Sequence, residues 1–308
     1  MNVTFRQLQV FEAVARHLSY TRAAEALHLT QPAVSMQIRQ LEEAAGVALF
    51  AQHGKKISLT PAGEELRHYS RQIQQLLRDA SDALEAHRTL QRGRLAVTVA
   101  STANHFAARL IGEFSKAHPG VTITLDVTNR ERLLAQLENN EPDLVIMGEP
   151  PQGLDLTSER LMENPLVLVA SPGHALAGRR RIPLAEVSRE QFVVRESGSG
   201  TRNAIERFLQ AHGLSLAGTL EMSSNEAIKH AVEAGLGLGI VSRHTIELEL
   251  AAGRLVVLDV EGFPILRHWH IVTRRGKRLS PIARAFRDFL REKAPRYVSA
   301  RGVVASPA

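Results

Sequence analysis

The sequence predicts two domains of different class: an N-terminal all-α winged helix-turn-helix that runs into a long linker helix, and a C-terminal α/β domain with two lobes. Three observations favour this organisation. Short apolar patterns at helical spacing fill residues 5–44, one narrow apolar stripe covers residues 66–90, and strands then alternate with amphipathic helices over residues 93–293. A chain of 308 residues has the length of about two domains.

Three short helices are predicted before residue 45. The first spans residues 5–16, the second residues 22–28 and the third residues 30–44. Thr30 is a natural N-cap for the third helix, and Pro32 occupies its first turn at no hydrogen-bonding cost. Only a tight turn joins the second helix to the third, and small residues in the second allow a close approach. This pattern is typical of a helix-turn-helix.

A wing and a coiled-coil helix are predicted next. Apolar residues flank the sequence His-Gly-Lys-Lys in the stretch 48–60, which predicts a β-hairpin with a basic tip. The following apolar positions repeat with 3-4 spacing over a helix of about eight turns. A stripe this narrow favours self-association over burial on the protein's own body. The stripe consists of Leu66, Tyr69, Ile73, Leu76, Ala80, Ala83, His87 and Leu90.

The remaining chain alternates strands and helices, which predicts a parallel sheet in each of two lobes. We assign residues 1–61 to the winged helix-turn-helix, 62–92 to the linker helix, 93–294 to the two-lobed domain and 295–308 to a flexible tail. Lobe 1 is expected to comprise residues 93–165 and 267–294, and lobe 2 residues 166–266.

Composition excludes several functional classes. The chain has no cysteine, and therefore no disulfide framework, thiolate metal site or cysteine nucleophile. No apolar run approaches the length of a membrane span, and charges interrupt the N-terminus where a signal peptide is apolar, so we expect a cytoplasmic protein. The net charge of +6 does not by itself indicate nucleic-acid binding, because residues 1–92 carry +2 whereas residues 267–308 carry +9.

The exposed face of the third helix carries side chains suited to reading duplex DNA. A major groove admits one helix, whose polar side chains reach base edges while helix starts and wings contact phosphates. A solvated face on a generic helical bundle is the alternative, and the wing and linker helix favour DNA. The candidate DNA-binding residues are Gln31, Pro32, Ser35, Gln37 and Arg39 on the third helix, and Thr21, Arg22, Lys55 and Lys56 for phosphates.

A candidate effector site lies in the two-lobed domain. The sequence Ser-Gly-Ser-Gly-Thr-Arg at residues 197–202 runs directly into a helix, so N–H groups, hydroxyls and guanidiniums would converge on an anion; an ordinary capped loop is the alternative. Matching turns in lobe 1 would face the same cleft, since ligands bind at the carboxyl ends of strands. The candidate residues are Ser101, Thr102, Asn129, Glu149, Arg195, Ser197, Ser199, Thr201, Arg202 and Asn225.

The stretch RQLQVFEAVARHLSYTRAAEALHLTQPAVSMQIRQLEEAAGVALF followed by ISLTPAG resembles the DNA-binding signature of LysR-type transcriptional regulators, and the resemblance extends to about Arg291. Within that family, the segments NRERLLAQLENNEPDLVIMGEPP, ENPLVLVASPGHALA and RESGSGTR are similar to regulators of RuBisCO (Calvin-cycle) operons. One departure is Met36, where many members carry a basic residue, so base preference does not carry over at that position.

The resemblance implies a homotetramer assembled from dimers and bound to an interrupted palindrome in a promoter. It also implies a periplasmic-binding-protein-like effector domain, and it leaves a contact with RNA polymerase open. The effector class that it implies is an anionic phosphorylated metabolite, a related sugar acid or a nucleotide cofactor of carbon fixation. No tightly bound cofactor or metal is expected.

Other functions fit parts of the sequence. A transport solute-binding protein would use two such lobes, but the DNA-binding segment and the N-terminus count against it. An enzyme acting on a phosphorylated metabolite has no catalytic motif in its favour, and a regulator of another metabolic operon stays open. The glycine run at residues 235–239 follows a helix and is interpreted as a turn, and His268 and His270 favour a structural role over a metal site.

Overall fold

The computed structural model describes residues 3–54, 56–86 and 93–299, and the chain forms two compact units. The first unit holds the three predicted short helices, the hairpin and the long helix. Each begins and ends within about two residues of its predicted position, apart from the long helix, whose predicted end lies outside the described residues. The elements are α1 (Phe5–His17), α2 (Tyr20–Leu27), α3 (Gln31–Ala45), β1 (Phe50–His53), β2 (Lys56–Leu59) and α4 (Pro61–Ala86).

Each of the first three helices begins at a hydroxyl side chain. Thr4, Ser19 and Thr30 each accept a hydrogen bond from a backbone N–H three residues later, which satisfies a free donor of the first turn. α2 ends at His28, whose left-handed φ of 54° forms the tight turn into α3. The core of this unit consists of Val10, Phe11, Ala13, Val14, Ala23, Ala24, Val34, Ile38, Leu41 and Leu49.

Two contacts fix the start of α4 on the rest of the first unit. A Cβ added to Gly63 would lie 2.1 Å from the carbonyl oxygen of Leu49, so only glycine allows this close approach. About two turns further along, the buried carboxylate of Glu12 on α1 accepts a hydrogen bond from Nε of Arg71 at 3.0 Å. The first half of α4 therefore belongs structurally to the helix-turn-helix.

Another face of α4 is apolar and exposed. Tyr69, Ile73 and Leu76 of the predicted stripe lie on it and are 53%, 44% and 62% exposed. Leu66 instead packs against the core of the first unit, which removes it from the stripe. The predicted stripe residues His87 and Leu90 lie outside the described residues, as does the side chain of Ala83.

The second unit contains two five-stranded sheets, one in each lobe. Its elements are β3 (Gly93–Ala100), α5 (Asn104–Ala117), β4 (Val121–Thr128), α6 (Arg130–Glu138), β5 (Leu144–Met147), β6 (Leu156–Glu163), β7 (Leu166–Ala170), α7 (Leu184–Val187), β8 (Gln191–Arg195), α8 (Gly200–Ala211), β9 (Gly218–Met222), α9 (Asn225–Glu233), β10 (Leu238–Ser242), α10 (Glu247–Ala251), β11 (Val256–Val257), β12 (His268–Arg274) and α11 (Pro281–Ser299).

Both sheets are mixed rather than purely parallel. In lobe 1 the strand order is β4-β3-β5-β12-β6, with β3 parallel to β4 and β5, and β12 antiparallel to β5 and β6. In lobe 2 the order is β11-β7-β10-β8-β9, with β8 parallel to β9 and β10. The edge strand β6 was not predicted, because its largely polar sequence lacks the apolar run of a buried strand.

The chain passes between the lobes twice, and the two crossings run side by side. The backbone N–H of Asn164 donates to the carbonyl oxygen of Arg267 at 2.7 Å, and Leu166 forms an antiparallel bridge with Ile265. The side chain of Asn164 is buried and accepts a hydrogen bond from Oγ of Ser242 at 2.7 Å. These paired crossings hold the two lobes together at one side of the cleft.

Two predictions about the second unit are settled by its packing. The predicted tail begins too early, because α11 continues through Pro295 to Ser299. Leu290 and Ala294 of this helix are buried in the core of lobe 1. Residues 300–308 lie outside the described chain. The glycine run lies between α9 and β10, as interpreted, and a Cβ on Gly237 would lie 2.5 Å from a backbone oxygen. Among the described helices, none is long and apolar enough to span a membrane.

Candidate functional site

α3 presents a polar face to solvent over a buried apolar stripe. Val34, Ile38 and Leu41 are fully buried, which turns the opposite side of the helix outward. Met36 lies on the outward side and is 53% exposed, together with Gln40, which sequence reasoning did not select. Of the predicted DNA-contacting residues, Gln31, Pro32 and Arg39 are exposed, and Ser35 and Gln37 are half-buried.

The predicted phosphate contacts flank α3. Thr21 and Arg22 are exposed in the first turn of α2, and Lys56 is exposed at the start of β2. The wing is fixed to α3 because Oε1 of Glu42 accepts hydrogen bonds from the backbone N–H groups at the start of the hairpin, at 2.8 and 3.2 Å. Lys55 lies outside the described residues. The outward side of α3, the start of α2 and the first residue of β2 are thus all exposed in this unit.

A cavity of about 920 Å³ lies between the two lobes of the second unit. Lobe 1 contributes the turns that follow β3, β4 and β5, and lobe 2 contributes most of α8. The second crossing, residues 265–270, lines the same space. The carboxyl ends of parallel strands therefore open into it, as expected for ligand sites in α/β domains, and the volume suits a small metabolite.

The structure brings most of the predicted effector residues together and separates three of them. Arg202 does not line the cavity, and it forms ion pairs with Glu206, which does, and with Glu221 at 2.8 and 2.5 Å. Ser197 is exposed in the loop before α8, and Asn225 begins α9, so neither lines the cavity. The predicted residues that do line it are Ser101, Thr102, Asn129, Glu149, Arg195, Ser199 and Thr201.

Arg195 differs in role from the prediction, because its charge is already neutralised. Its guanidinium is buried and makes two hydrogen bonds to the carboxylate of Glu196, from Nε at 2.7 Å and from Nη2 at 2.8 Å. Nη2 also approaches Oγ of Ser101 at 3.5 Å, across the cleft. Arg195 thus connects the lobes rather than offering a free cation.

Four other arginines line the cavity and were not selected from the sequence: Arg160 on β6, and three whose charges act on one another. Arg130 starts α6, Arg207 lies on α8 and Arg267 lies on the second crossing. Burial and the charges of the other two lower the pKa of Arg267 to about 10, and burial followed by Arg207 lowers the pKa of Arg130. In the described part of the chain, no carboxylate forms a salt bridge with any of the three. We call these residues the arginine triad.

The triad carries a weak sequence signal. One face of α8 carries Gly200, Asn203 and Arg207 at helical spacing. Because this face starts at the predicted anion loop, the spacing could have indicated that Arg207 lies on the same side of the helix as that loop. Arg267 has no comparable signal, because its position depends on the return of the chain from lobe 2. The histidines His268 and His270 also line the cavity, and the described residues contain no cluster suited to a metal ion.

Two family models match this architecture and cover most of the chain. Residues 5–64 match the bacterial regulatory helix-turn-helix proteins of the lysR family, and residues 88–295 match the LysR substrate binding domain. The chain belongs to the LysR family. The sequence-based interpretation as a LysR-type, DNA-binding transcription regulator is confirmed.

This LysR protein is similar over most of its length to a regulator of known name, and over its second unit to a solved regulatory domain. A RuBisCO operon transcriptional regulator of Allochromatium vinosum is 56% identical over 296 residues, which cover 96% of this chain and 98% of the relative. The regulatory domain of CcmR from Synechocystis PCC6803, solved in complex with 2-PG, is 42% identical and aligns with a TM-score of 0.63 over 65% of this chain and 96% of that chain.

A solved full-length structure shares the fold of this LysR protein. CbnR, complexed with its target DNA, is 22% identical and aligns with a TM-score of 0.68 over 94% of this chain and 99% of that chain. At this identity the likeness establishes the fold alone. It confirms the predicted combination of an N-terminal helix-turn-helix with a two-lobed C-terminal domain.

Proposed function

We propose that this LysR protein regulates transcription of a RuBisCO operon by binding its promoter and by changing that binding when an anionic metabolite enters the cleft. The observation that carries the proposal is the cavity between the lobes, where the arginine triad supplies positive charge and, among the described residues, forms no salt bridge, while Glu149 and Glu206 also line the space. The 56% identity to a RuBisCO operon regulator supports the target gene.

DNA recognition is assigned to α3, with the start of α2 and the wing on phosphates. Base edges in the major groove would be contacted by Gln31, Ser35, Gln37 and Arg39. The phosphates would be contacted by Thr21, Arg22 and Lys56. Two such heads are needed to read a palindrome, and the exposed apolar face of α4 supplies the dimer contact. Assembly of two dimers into a tetramer belongs to the same proposal.

The proposed effector is a small phosphorylated metabolite. The relative CcmR is described in complex with 2-PG, and the cavity of this chain combines hydroxyls, a helix start and the triad, all of which favour an anion. Binding would act through unequal affinity for two arrangements of the lobes, because a ligand shifts a conformational equilibrium only by its differential affinity.

Gel-shift titration tests the proposal directly. The full-length protein is titrated against a RuBisCO promoter fragment and a scrambled fragment of equal length, with and without 2-phosphoglycolate. We expect tighter binding to the promoter fragment and a change in affinity or in band pattern when the metabolite is added. Equal affinity for both fragments under both conditions would refute the regulatory assignment.

A further inference from the structure

We infer that a polar clamp between α1 and α4 determines which spacing of DNA half-sites the protein accepts. The clamp consists of Glu12 and the carbonyl group of Leu8 on α1, and of Ser70, Arg71 and Gln74 on α4. These are positioning residues, because they act on DNA recognition through the placement of α3. The inference rests on the proposed function, since it concerns how a dimer holds its two DNA-binding heads.

The first contact of the clamp is ionic. Glu12 is only 5% exposed, and its Oε1 accepts a hydrogen bond from Nε of Arg71 at 3.0 Å. Arg67, one turn earlier on α4, brings its Nε within 3.7 Å of the other carboxylate oxygen. Removing a carboxylate from water is costly, and cations on a neighbouring helix offset that cost only where they face it. The contact therefore favours one placement of α4 along α1.

The second contact uses the backbone of α1. The carbonyl oxygen of Leu8 accepts hydrogen bonds from Oγ of Ser70 at 3.4 Å and from Nε2 of Gln74 at 3.3 Å. Nε2 of Gln74 also donates to Oγ of Ser70 at 3.3 Å, and Ser70 is fully buried. On each helix the clamp spans about one turn. Two contacts one turn apart restrict both the sliding and the rotation of α4 against α1.

The clamp adds a direction to an interface that is otherwise anchored at one end. Ala62 and Leu66, at the start of α4, pack against the apolar core of the first unit. Apolar side chains can repack when a helix pivots, whereas a hydrogen bond weakens steeply as its angle departs from a straight line. Buried polar groups of this kind are best known as devices that select one register among several. The clamp therefore fixes the angle at which α4 leaves the core.

This angle lies on the path from the reading helix to the dimer contact. α3 is held to α1 by the apolar core, through Val10, Phe11, Val34 and Ile38. α4 carries the exposed apolar face that we propose as the dimer contact. In a dimer with two-fold symmetry, a change in the angle between α1 and α4 moves the two α3 helices in opposite directions. The separation of the half-sites that they reach changes with it.

The test uses the full-length protein and RuBisCO promoter fragments that differ only in the spacer between the half-sites. Each added or deleted base pair moves the half-sites by about 3.4 Å along the DNA axis. A fragment with a single half-site measures one head alone. The variants are Glu12→Gln, which keeps the shape of the side chain and removes its charge, and Ser70→Ala combined with Gln74→Ala. Glu65→Gln is the matched control, because it removes an exposed carboxylate from α4 outside the clamp.

The expected result is a change in spacer preference at constant affinity for one half-site. The parent should bind the natural spacer at least about tenfold more tightly than a spacer changed by two base pairs, as expected when a hydrogen bond to a charged group must break before the heads can adjust. Both clamp variants should reduce this ratio to about threefold or less, since their heads adjust more easily. Glu65→Gln should keep the ratio of the parent. Light scattering and thermal melts should show that each variant is a folded dimer.

Flattening of the spacer preference in either clamp variant, with single half-site affinity retained, supports the inference. An unchanged preference in both folded, dimeric variants would overturn it, as would a parent that binds every spacer equally well. An equal loss on all fragments, including the single half-site, would show damage to the head and would also overturn it. Equal binding of the parent to promoter and scrambled DNA would refute the proposed function itself, and the inference with it.

Discussion

The exposed face of α3, which we propose contacts DNA, and the arginine triad in the cleft are built in opposite ways. The α3 residues lie within one 15-residue helix and are positioned by its buried stripe, Val34, Ile38 and Leu41. The triad comes from residues 130, 207 and 267, which three different segments bring together. The difference shows that a site on one helix is encoded locally, whereas a cleft site is encoded by topology.

The two sites also differ in what a substitution disturbs. Arg39 is exposed on α3, so its removal affects DNA contacts with little effect on the fold. Arg267 donates a hydrogen bond to the carbonyl oxygen of Gly200, and its Nε is buried. Its removal therefore affects the packing around it as well as the cleft. Variants in the head should therefore separate DNA binding from stability more cleanly than variants in the cleft.

The largest expected effect comes from the proposed dimer contact on the exposed apolar face of α4. Ile73→Asp combined with Leu76→Asp places two charges on the exposed apolar face of α4, which we expect to disperse the dimer and to weaken promoter binding by more than about 100-fold, since paired heads are required. Light scattering and gel shifts measure the two effects. As a control, Gln72→Asp combined with Gln75→Asp, on the flank of the same helix, should change neither the mass nor the promoter binding. An unchanged mass in a folded Ile73→Asp and Leu76→Asp double variant would contradict the dimer assignment.

A base-reading role for Arg39 predicts a selective loss. Arg39→Ala should weaken binding to the promoter by about tenfold or more, because one good base contact contributes about 1–3 kcal/mol of discrimination. Binding to scrambled DNA should fall much less. Gel-shift titrations on both fragments decide the matter, and equal losses on the two fragments would reassign Arg39 to the phosphate backbone.

A smaller and unselective effect is expected from the wing. Lys56→Ala should weaken binding to the promoter and to scrambled DNA by the same factor of a few, and should reduce the salt slope by about one unit, because one phosphate contact is lost. Titrations at several salt concentrations measure the slope. A loss confined to the promoter would show that Lys56 reads sequence. The same effects are predicted for Lys55, which lies outside the described residues.

The smallest expected effect is on the pH dependence of the stability of the effector domain, and it concerns His244. Burial lowers the pKa of His244 below its ordinary value of 6.5, and its Nε2–H donates to the carbonyl oxygen of Glu163 at 3.1 Å. The unfolded chain therefore takes up this proton at a higher pH than the folded chain, so the stability of the effector domain falls as the pH drops below about 6.5. Thermal melts should show a shallower decline for His244→Gln, which keeps a donor. A slope identical to that of the parent would show that His244 does not contribute.

The helices of the first unit were predictable because their signals are local. Thr30, Pro32 and the buried stripe of α3 lie within a few residues of the turn that they define, and the hairpin register follows from its short loop. In the second unit the hydroxyls at residues 101 and 102 were found by the same kind of reasoning, since a strand-to-helix turn is itself local. Arg202 does not line the cavity, and the loop motif could not indicate this because it does not show which face of α8 each side chain takes.

The sequence by itself determined the order and class of the domains, the caps and periodicity of the DNA-binding helices, and the membership of the LysR family. Only the tertiary structure decided which arginines in the cleft form no salt bridge with the carboxylates of the described residues. Glu196 and Glu221 neutralise the arginines that the motif suggested, while the return of the chain at Arg267 completes the triad. The physical reason is that helical periodicity acts over one turn, whereas the charge of a cavity is the sum over segments that meet only after the lobes have folded.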